Sequence, residues 1–333
     1  MSKTIALTIG DPNGIGPEIA VKAAAALLGN DDIRVVLVGD EHVIRHYGEL
    51  CASDRQFRHV ESGASSRDAI LLHPVDALPT AHFRLGQIDA DAGRATVAYV
   101  DAAIGLVRGR AVDAIVGCPH NETAVNAAGI PFSGYPGLIA RLTGTPEEKV
   151  FMMLVGGGLR ILHATLHERI FDALTRLTPE LIEEAGLACA ATLKRLGITN
   201  PRIGVFGINP HAGENGLFGD DDNRITAPAV MRLRKAGVNA EGPVGADIIL
   251  GRKDIDGFVA IYHDQGHIPV KLLAGRNASA LSVGAGVLFS SVGHGSAFDI
   301  AGQNKADPAA VLRTLRLLGN VPTDATPATA GAT

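Results

Sequence analysis

Three histidines follow apolar runs that have the composition of buried strands. His167, His211 and His263 come at or shortly after the ends of residues 160–166, 202–208 and 257–262. In open α/β sheets, ligands bind at the edge formed by the carboxyl ends of the strands. Three neutral imidazoles can hold a divalent metal and leave positions open for a substrate. The sequence therefore predicts one shared metal site, although a single histidine among the 12 is more often a surface residue.

Groups that can exchange protons lie close to the third histidine in sequence. Asp264 and Lys271 follow His263 within about two helical turns. A lysine beside a divalent cation gives up its proton more readily, which makes Lys271 the favoured proton shuttle. Asp247 follows a turn rich in Gly and Pro and can relay a proton as well. From spacing alone, either aspartate can instead be a helix cap, and Lys271 taken by itself is better explained as a surface amine.

Two glycine-rich stretches can approach a flat or anionic ligand. In residues 291–302 small side chains let the backbone come close to a cofactor, and Asp299 can accept hydrogen bonds from a ribose diol. Residues 10–18 lie between a predicted strand and a predicted helix, where backbone amides can face an anion. That loop matches neither the GxGxxG pattern nor a P-loop. It is equally well explained as a tight turn, and no function is assigned to it.

These residues require a scaffold of buried strands and helices. Short apolar runs alternate with amphipathic segments, which predicts largely parallel strands joined by crossover helices in an α/β fold. Apolar residues at helical spacing predict a core-facing helix over 91–108. Residues 178–196 predict a second helix, with Thr178 as its N-cap and Gly197 beyond its end. Strands are predicted at residues 4–9, 33–38, 69–72, 113–116, 150–155, 160–166, 202–207 and 257–262.

The composition favours a globular protein that acts on small molecules. The 333 residues are 46% hydrophobic and 20% charged, with a net charge of −5 and no basic run of the kind that nucleic-acid-binding proteins use. Three widely separated cysteines exclude a disulfide framework and a thiolate zinc site. The apolar start is too short for a signal peptide, so a cytoplasmic protein without a membrane role is expected. Residues 321–333 are expected to form a flexible tail.

The chain resembles the 4-hydroxythreonine-4-phosphate dehydrogenase family from about Ile5 to Leu318. The motifs that carry the resemblance are GDPNGIGPE (10–18), AGIPF (128–132), NPHAGE (209–214), YHDQG (262–266) and HGSAFDIAG (294–302). The resemblance implies two α/β/α domains of the isopropylmalate and isocitrate dehydrogenase type, with an active-site cleft between them. It implies a cofactor-side domain of residues 1–122 plus 267–320, a metal and dimerisation domain of residues 123–266, and a homodimer.

The resemblance also implies roles for individual residues. The family's metal-binding histidines fall on His167, His211 and His263, and they come from both subunits of the dimer. Zinc is the metal most expected, with magnesium, manganese and cobalt as alternatives. The carboxylate of Asp299 would repel a 2′-phosphate, which favours NAD over NADP. The implied cofactor contacts are His294, Gly295, Ser296, Ala297, Asp299, Ala301 and Gly302.

The sequence departs from the vitamin-pathway members of this family at positions that hold the substrate. Their Pro-Val-His-Lys and Thr-Gly-His-Thr are replaced by PHNE (119–122) and SGYP (133–136), and their substrate-binding Asn and Arg fall on Ala280 and Phe289. The stretches CPHNETA, LRILHATLH and HDQGHIPVKLLA instead resemble the terephthalate dihydrodiol dehydrogenases, a branch of the family. Phe289 can pack against a carbon ring. The candidates for binding the substrate carboxylates are Asn121, Ser133, Tyr135, Arg160, His163, His267, Arg276 and Asn277.

The resemblance implies oxidative decarboxylation of 1,2-dihydroxycyclohexa-3,5-diene-1,4-dicarboxylate to protocatechuate and CO2, with NAD and a divalent metal. Oxidation at C2 places a ketone β to the C1 carboxylate, and the metal acts as a Lewis acid for the enolate that decarboxylation leaves. The alternative substrate is 4-hydroxythreonine 4-phosphate or a related four-carbon acid phosphate. A three-histidine metal hydrolase without a nicotinamide cofactor and a non-catalytic ligand sensor are more distant alternatives, which NAD binding would separate from the dehydrogenases.

Overall fold

A computed structural model describes residues 2–60, 68–293 and 295–321. Two parts of the predictions, His294 and residues 322–333 of the tail, lie outside the described residues. The strands are β1 (Lys3–Thr8), β2 (Ile33–Gly39), β3 (Gln56–His59), β4 (Ala69–Pro74), β5 (Ala114–Gly117), β6 (Phe151–Gly156), β7 (Leu159–His163), β8 (Arg202–Phe206), β9 (Asn239–Val244), β10 (Gly257–Ala260), β11 (Ser279–Val283) and β12 (Phe289–Val292).

Eleven α-helices connect these strands in the part of the chain that the structure describes. They are α1 (Gly16–Ala26), α2 (Glu41–Cys51), α3 (Ala90–Arg108), α4 (Glu122–Ala127), α5 (Tyr135–Thr143), α6 (Ile170–Thr175), α7 (Pro179–Arg195), α8 (Ala227–Lys235), α9 (Ala246–Ile249), α10 (His263–Ala274) and α11 (Ala309–Leu318). None of the helices within the described residues is long and apolar enough to cross a membrane.

The strands form one sheet in the order β3-β4-β2-β1-β5-β12-β11-β6-β7-β10-β8-β9. The six strands from β3 to β12 are parallel, and so are the four from β7 to β9. In the middle, β11 and β6 pair with antiparallel neighbours. Hydrogen bonds therefore run without interruption between the two parallel halves of the sheet.

The predicted α/β class is confirmed, and the burial of the strands gives the physical reason. All residues of β5 and β10 are buried, as are the last four of β1. Consecutive buried residues along a strand need cover on both faces of the sheet, which the crossover helices supply. The predicted helix over 178–196 is confirmed as α7, where the Thr178 side chain accepts a hydrogen bond from the Leu181 amide and Gly197 takes a positive φ of 91°.

The distribution of strands along the chain bears on the predicted domains without setting their boundaries. Strands β1 to β5 come from residues 1–122, β6 to β10 come from residues 123–266, and β11 and β12 come from residues 267–320. The continuous sheet crosses from one group to the other through β11 and β6. The two-domain boundaries stay a prediction.

Candidate metal centre and cavity

Three histidines of this chain bring their ring nitrogens together in the described residues. His167, His263 and His267 each offer one nitrogen, and these three atoms lie within 4.8 Å of one another. The rings of His263 and His267 stack with centroids 3.7 Å apart, and the ring of His167 lies 5.6 Å from that of His263. Nitrogens around one tetrahedral zinc ion stand about 3.3 Å apart, so a small inward movement of the rings suffices.

Two parallel strands and one helix position this group. β7 ends at His163, which pairs with Ala260 at the end of β10, so the segments that carry His167 and His263 leave the sheet at the same edge. α10 begins at His263, and His267 lies one turn further along the same helix face. Gln265 fixes the start of the helix, because its amide accepts from the Ile261 N–H at 2.9 Å and donates to the Gly207 carbonyl at 2.9 Å.

A fourth histidine, His163, lies buried behind the group. Its Nδ1 is 3.2 Å from the Met152 carbonyl oxygen, and its Nε2 is 3.0 Å from Nδ1 of His267. Both nitrogens are therefore used within the protein, and the binding of a substrate carboxylate by His163 stays a prediction. His163 contacts the site through His267.

Burial favours the neutral form of three of these imidazoles, those of His163, His167 and His267. Desolvation, followed by repulsion from His267, lowers the pKa of His163 to about 3, and desolvation and the neighbouring His263 lower the pKa of His267 to about 4. Burial likewise lowers the pKa of His167. Neutral imidazole nitrogens are the form in which histidine binds zinc and other borderline divalent cations. The donor set therefore fits the divalent metal expected from the sequence.

The acidic and basic groups of α10 lie on the side of the helix that carries the histidines. Oδ1 of Asp264 is 2.6 Å from Nδ1 of His263, so that ring N–H donates a hydrogen bond to the carboxylate and Nε2 is the nitrogen left for a metal ion. Carboxylate–histidine pairs of this kind orient metal ligands. Lys271 is exposed one turn beyond His267. The cap role considered for Asp264 is not seen. The N-cap residue of α10 is Tyr262, whose side chain makes no cap bond, and the Asp264 carboxylate contacts His263.

The structure places His211 and Asp247 together, outside the three-histidine group. A side chain on Gly245 would contact both, with its Cβ 2.7 Å from Oδ1 of Asp247 and 3.8 Å from Cα of His211. His211 opens six consecutive residues with positive φ, a conformation that costs energy for residues other than glycine and often marks functional sites. The buried Asp222 anchors this loop by accepting from the amides of Ile208 and Asn209 at 2.8 and 3.0 Å.

A cavity of about 490 Å³ opens beside the histidine group. Among the predicted substrate-binding residues, Ser133 and His163 line it, together with His167. Sequence reasoning missed Arg176, which lines the same cavity and donates to Glu168 at 2.8 Å. No local pattern marks Arg176, because it reaches the cavity through the fold rather than through a motif.

An aromatic cluster fills the space behind Ser133. Tyr135 and Phe289 pack with ring centroids 4.5 Å apart, and His120 lies 4.6 Å from Tyr135. Phe289 is fully buried, and burial lowers the pKa of His120 to about 4. In this conformation Phe289 contacts protein atoms only, so it shapes the site through Tyr135 rather than touching a substrate as predicted. The Tyr135 hydroxyl has no hydrogen-bond partner among the described residues.

Three other predicted substrate contacts do not reach the cavity. The Asn121 side chain caps α4 by accepting from the Ala124 amide at 2.8 Å. Arg160 at the start of β7 and Asn277 just before β11 lie at the opposite sheet edge, because β6 pairs Val155 with both Arg160 and Ser279. Arg160 donates to the Asp256 carbonyl, and Asn277 accepts from Arg313 at 2.6 Å. Arg276 lies in a short helical turn, and its side chain is outside the described parts.

The predicted cofactor stretch packs against the first glycine-rich loop. The Ser296 carbonyl accepts from the Ile15 amide at 2.9 Å, and a side chain on Gly14 would meet Ser296 at 2.8 Å. Asn13 links this loop to residues 84–87 through its side chain and carbonyl. The same stretch contains Gly295, Ala297, Asp299, Ala301 and Gly302, of which Gly295, Ala297 and Asp299 are exposed. The loop that spacing alone left unassigned is buried and packs against the stretch that carries the predicted NAD contacts.

A buried carboxylate lies in that loop. Asp11 is fully buried, its Oδ1 accepts from the Asn13 amide at 2.9 Å, and its Oδ2 has no hydrogen-bond partner among the residues described. Desolvation raises the pKa of Asp11 to about 7.

Comparison with known proteins gives matches along almost the whole chain. Residues 31–318 match the family described as "Pyridoxal phosphate biosynthetic protein PdxA". The chain is 47% identical to the 1,2-dihydroxy-3,5-cyclohexadiene-1,4-dicarboxylate dehydrogenase of a Comamonas species, covering 96% of this chain and 98% of that protein. It is 41% identical to the D-threonate 4-phosphate dehydrogenase of Cupriavidus necator, covering 94% and 95%. The crystal structure of a terephthalate 1,2-cis-dihydrodiol dehydrogenase from Burkholderia xenovorans superposes with a TM-score of 0.80 at 53% identity, covering 96% and 98%.

Proposed function

Since this chain belongs to the PdxA family of dehydrogenases, we propose that it oxidises and decarboxylates 1,2-dihydroxycyclohexa-3,5-diene-1,4-dicarboxylate to protocatechuate and CO2, using NAD and a divalent metal, most readily zinc. The observation that carries the proposal is a three-histidine group beside a 490 Å³ cavity in a chain 47% identical to a dehydrogenase of that substrate. The histidine group, the cavity and the activity of the related dehydrogenase all support the same reaction.

Some residues of the chain would bind the cation, and others would transfer protons. When bound, a divalent cation supplies Lewis acidity for the developing negative charge, and NAD accepts the hydride. His167 and His263 hold the cation, and Asp264 orients His263 through Nδ1. Nζ of Lys271 takes the proton of the substrate hydroxyl, and Asp247 relays protons beside His211 when a second subunit closes the site.

The cofactor would lie along the wall formed by residues 295–302, which packs on the buried residues 10–16. The exposed carboxylate of Asp299 accepts hydrogen bonds from a free ribose diol and disfavours a 2′-phosphate, which supports NAD over NADP. The absence of a side chain at Gly295, where a Cβ would meet nothing within 4 Å, lets the backbone approach a flat ligand.

The cavity offers few cationic groups to a phosphate dianion. Arg176 lines the cavity among three glutamates, one of which, Glu168, already accepts from it. Two carboxylates across a ring can be met separately, one by the cation and one by Arg176. A phosphate concentrates two charges at one point and needs several charge-assisted bonds there. Ala280 and Phe289 supply none at the positions where phosphate-using relatives carry Asn and Arg.

A homodimer would complete the site. Large apolar side chains are exposed close in sequence to the site residues, including Phe171 at 72%, Leu217 at 72% and Leu272 at 80%. Such residues mark surfaces that a partner covers. A second copy seated there would bring its own His211 and Asp247 towards His167 and His263. This arrangement explains why His211 is outside the group in a single chain.

The assay that tests the function offers two substrates to the purified protein with NAD and Zn²⁺. NADH formation and CO2 release are expected with the dicarboxylate dihydrodiol. Because the chain lacks one or two charge-assisted bonds to phosphate, kcat/KM for 4-phosphohydroxythreonine should be at least about tenfold lower. Identity of 41% to a D-threonate 4-phosphate dehydrogenase makes four-carbon acid phosphates the second candidate, and equal or higher kcat/KM with such a phosphate would replace the first. Calorimetry that detects no NAD binding with metal present would refute both.

A further inference from the structure

The hydrogen bonds of His163 fix the protonation pattern of His267. The Met152 carbonyl can only accept, so Nδ1 of His163, 3.2 Å away, is the donor in that bond. A neutral imidazole carries one proton, and Nε2 of His163 is therefore an acceptor. The atom 3.0 Å from it, Nδ1 of His267, must then donate. The lone pair of His267 is left on Nε2.

A lone pair in this position suits a cation and repels an anion. Neutral His267 has no second N–H to give, so it cannot donate to a substrate carboxylate, the role predicted from sequence. Its ring stacks on that of His263 at 3.7 Å, and its nitrogen lies within 4.8 Å of those of His167 and His263. These are the surroundings of a metal ligand.

We propose that His267 is a metal ligand of this chain and that His163 is a positioning residue, which holds His267 in the Nδ1–H tautomer through the relay from the Met152 carbonyl. The proposal deepens the proposed function and rests on it only in assuming that the histidine group holds a divalent cation. His163 is buried and 1% exposed, so its ring has a fixed place between β6 and α10.

The backbone of α10 makes room for this relay. A Cβ on Gly266 would lie 2.3 Å from Nε2 of His163 and 2.9 Å from Cγ2 of Ile161. No real Cβ approaches so closely, and His163 would have to move out of hydrogen-bond distance of His267. A glycine before His267 is therefore required by the relay, which gives an independent way to break it.

Two variants of His163 separate the hydrogen bond from the packing. His163→Phe keeps a planar ring and removes both nitrogens. His163→Gln places an amide oxygen near the position of Nε2, so it can still accept from His267 Nδ1. We expect His163→Phe to weaken Co²⁺ binding by about ten- to a hundredfold, as loss of a partner behind a metal ligand does, and His163→Gln to retain most of the affinity.

Gly266→Ala should lower the Co²⁺ affinity as much as His163→Phe is expected to, with Gly105→Ala as its control. A Cβ on Gly105 in α3 meets nothing within 4 Å, so that variant should bind Co²⁺ as the unmodified protein does. Thermal unfolding and calorimetric titration with Co²⁺ alone measure folding and affinity without substrate.

The tautomer itself is read on the unmodified metal-free protein by long-range ¹H–¹⁵N correlation with labelled histidine. His267, assigned by comparison with His267→Gln, is expected as the Nδ1–H form, and His163→Phe should introduce the Nε2–H form. An Nε2–H tautomer in the unmodified protein would overturn the relay even if the variants failed to fold. Unchanged Co²⁺ affinity in folded His163→Phe would overturn it as well. Turnover of the dihydrodiol is a separate measurement, so a failure of the proposed function is distinguished from a failure of the relay.

Discussion

At the scale of single residues, the nitrogen that each histidine leaves free decides what the site can bind. The carboxylate of Asp264 accepts a hydrogen bond from Nδ1 of His263. Nε2 of His163 accepts one from Nδ1 of His267. Each bond leaves Nε2 of its donor ring as the nitrogen available to a metal ion, and burial lowers the pKa of His267 to about 4. The same bonds leave Lys271 as the exposed amine beside the group, which gives it the proton-transfer role in the proposed function.

Replacing that amine tests the proton-transfer role. Lys271→Met keeps the length of the side chain and removes the base, so kcat should fall by at least about a hundredfold, the usual contribution of general acid–base catalysis. NAD affinity should be unchanged, because Lys271 lies on α10 and not on the cofactor wall. Steady-state kinetics and NAD titration measure the two effects, with Lys235→Met on the exposed face of α8 as control. A wild-type kcat and pH profile would make Lys271 a surface amine.

Asp11 gives a pH dependence of stability with a defined sign. Its folded-state pKa of about 7 lies above the value near 3.8 expected in an unfolded chain. Between these values the folded protein holds a proton that the unfolded chain releases, so stability present at low pH is lost as the pH rises to about 7. Asp11→Asn removes this loss, at most about 4 kcal/mol. In urea unfolding, the free energy of unfolding of Asp11→Asn should rise relative to that of the unmodified protein between pH 4.5 and 7.5. Asp101→Asn, at an exposed position, should show no such trend. A parallel change with pH in the free energies of unfolding of Asp11→Asn and the unmodified protein would contradict the argument.

At the scale of elements, α10 is the part of the fold that assembles the site. It carries His263, Asp264, His267 and Lys271 along one side, and Gln265 ties its first turn to the ends of β8 and β10. The helix also contains Pro269 and exposes Leu272 to 80%, so contacts at its beginning matter more than packing along its length.

Removing the Gln265 anchor should affect both stability and metal binding. Gln265→Met has a similar volume and leaves the Ile261 amide and the Gly207 carbonyl without their partner, a cost of about 1–3 kcal/mol. The start of α10 carries His263, so Co²⁺ affinity should fall as well. Gln303→Met, which alters an exposed side chain that donates to the Asp299 carbonyl, is the control for metal binding. Retained Co²⁺ affinity in Gln265→Met would show that His263 does not depend on this anchor.

At the scale of the whole molecule, the sheet brings together histidines distant in sequence, and a second subunit is proposed to supply His211. His163 and His267 are 104 residues apart and meet because β7 and β10 are neighbours in the sheet. His211 follows β8 at the same edge but leaves it in a left-handed turn. The apolar side chains exposed near it give the partner a surface to cover.

Mixed dimers test the shared site directly. His211→Ala and His263→Ala homodimers should both be inactive. If each site takes His211 from one subunit and His263 from the other, mixing and reassembling the two variants restores one intact site per heterodimer. About a quarter of the wild-type activity is expected from random pairing. Activity that does not return, in a mixture shown by mass spectrometry to contain heterodimers, would assign all the ligands to one chain.

The sequence by itself determined the features that neighbouring residues encode. Apolar runs of strand length predicted the α/β class and placed His167 and His263 at the edge of the sheet. Thr178 and Gly197 bounded α7 because caps act over three or four residues. Strands without such runs were missed: β3 is largely exposed, β9 contains Gly and Pro, and β11 and β12 contain several serines. Their pairing depends on neighbours in the sheet rather than on their own residues.

Only the tertiary structure decided which side chains meet. It grouped His267 with His167 and His263 and left His211 apart, buried Phe289 against Tyr135, and brought Arg176 into the cavity. It also sent Arg160 and Asn277 to the opposite edge of the sheet. Contacts between residues a hundred positions apart depend on strand order and register, which no local pattern records. The tautomer of His267 was also decided only by the tertiary structure. It depends on the Met152 carbonyl of β6 and on the His163 ring of β7, which lies between that carbonyl and His267.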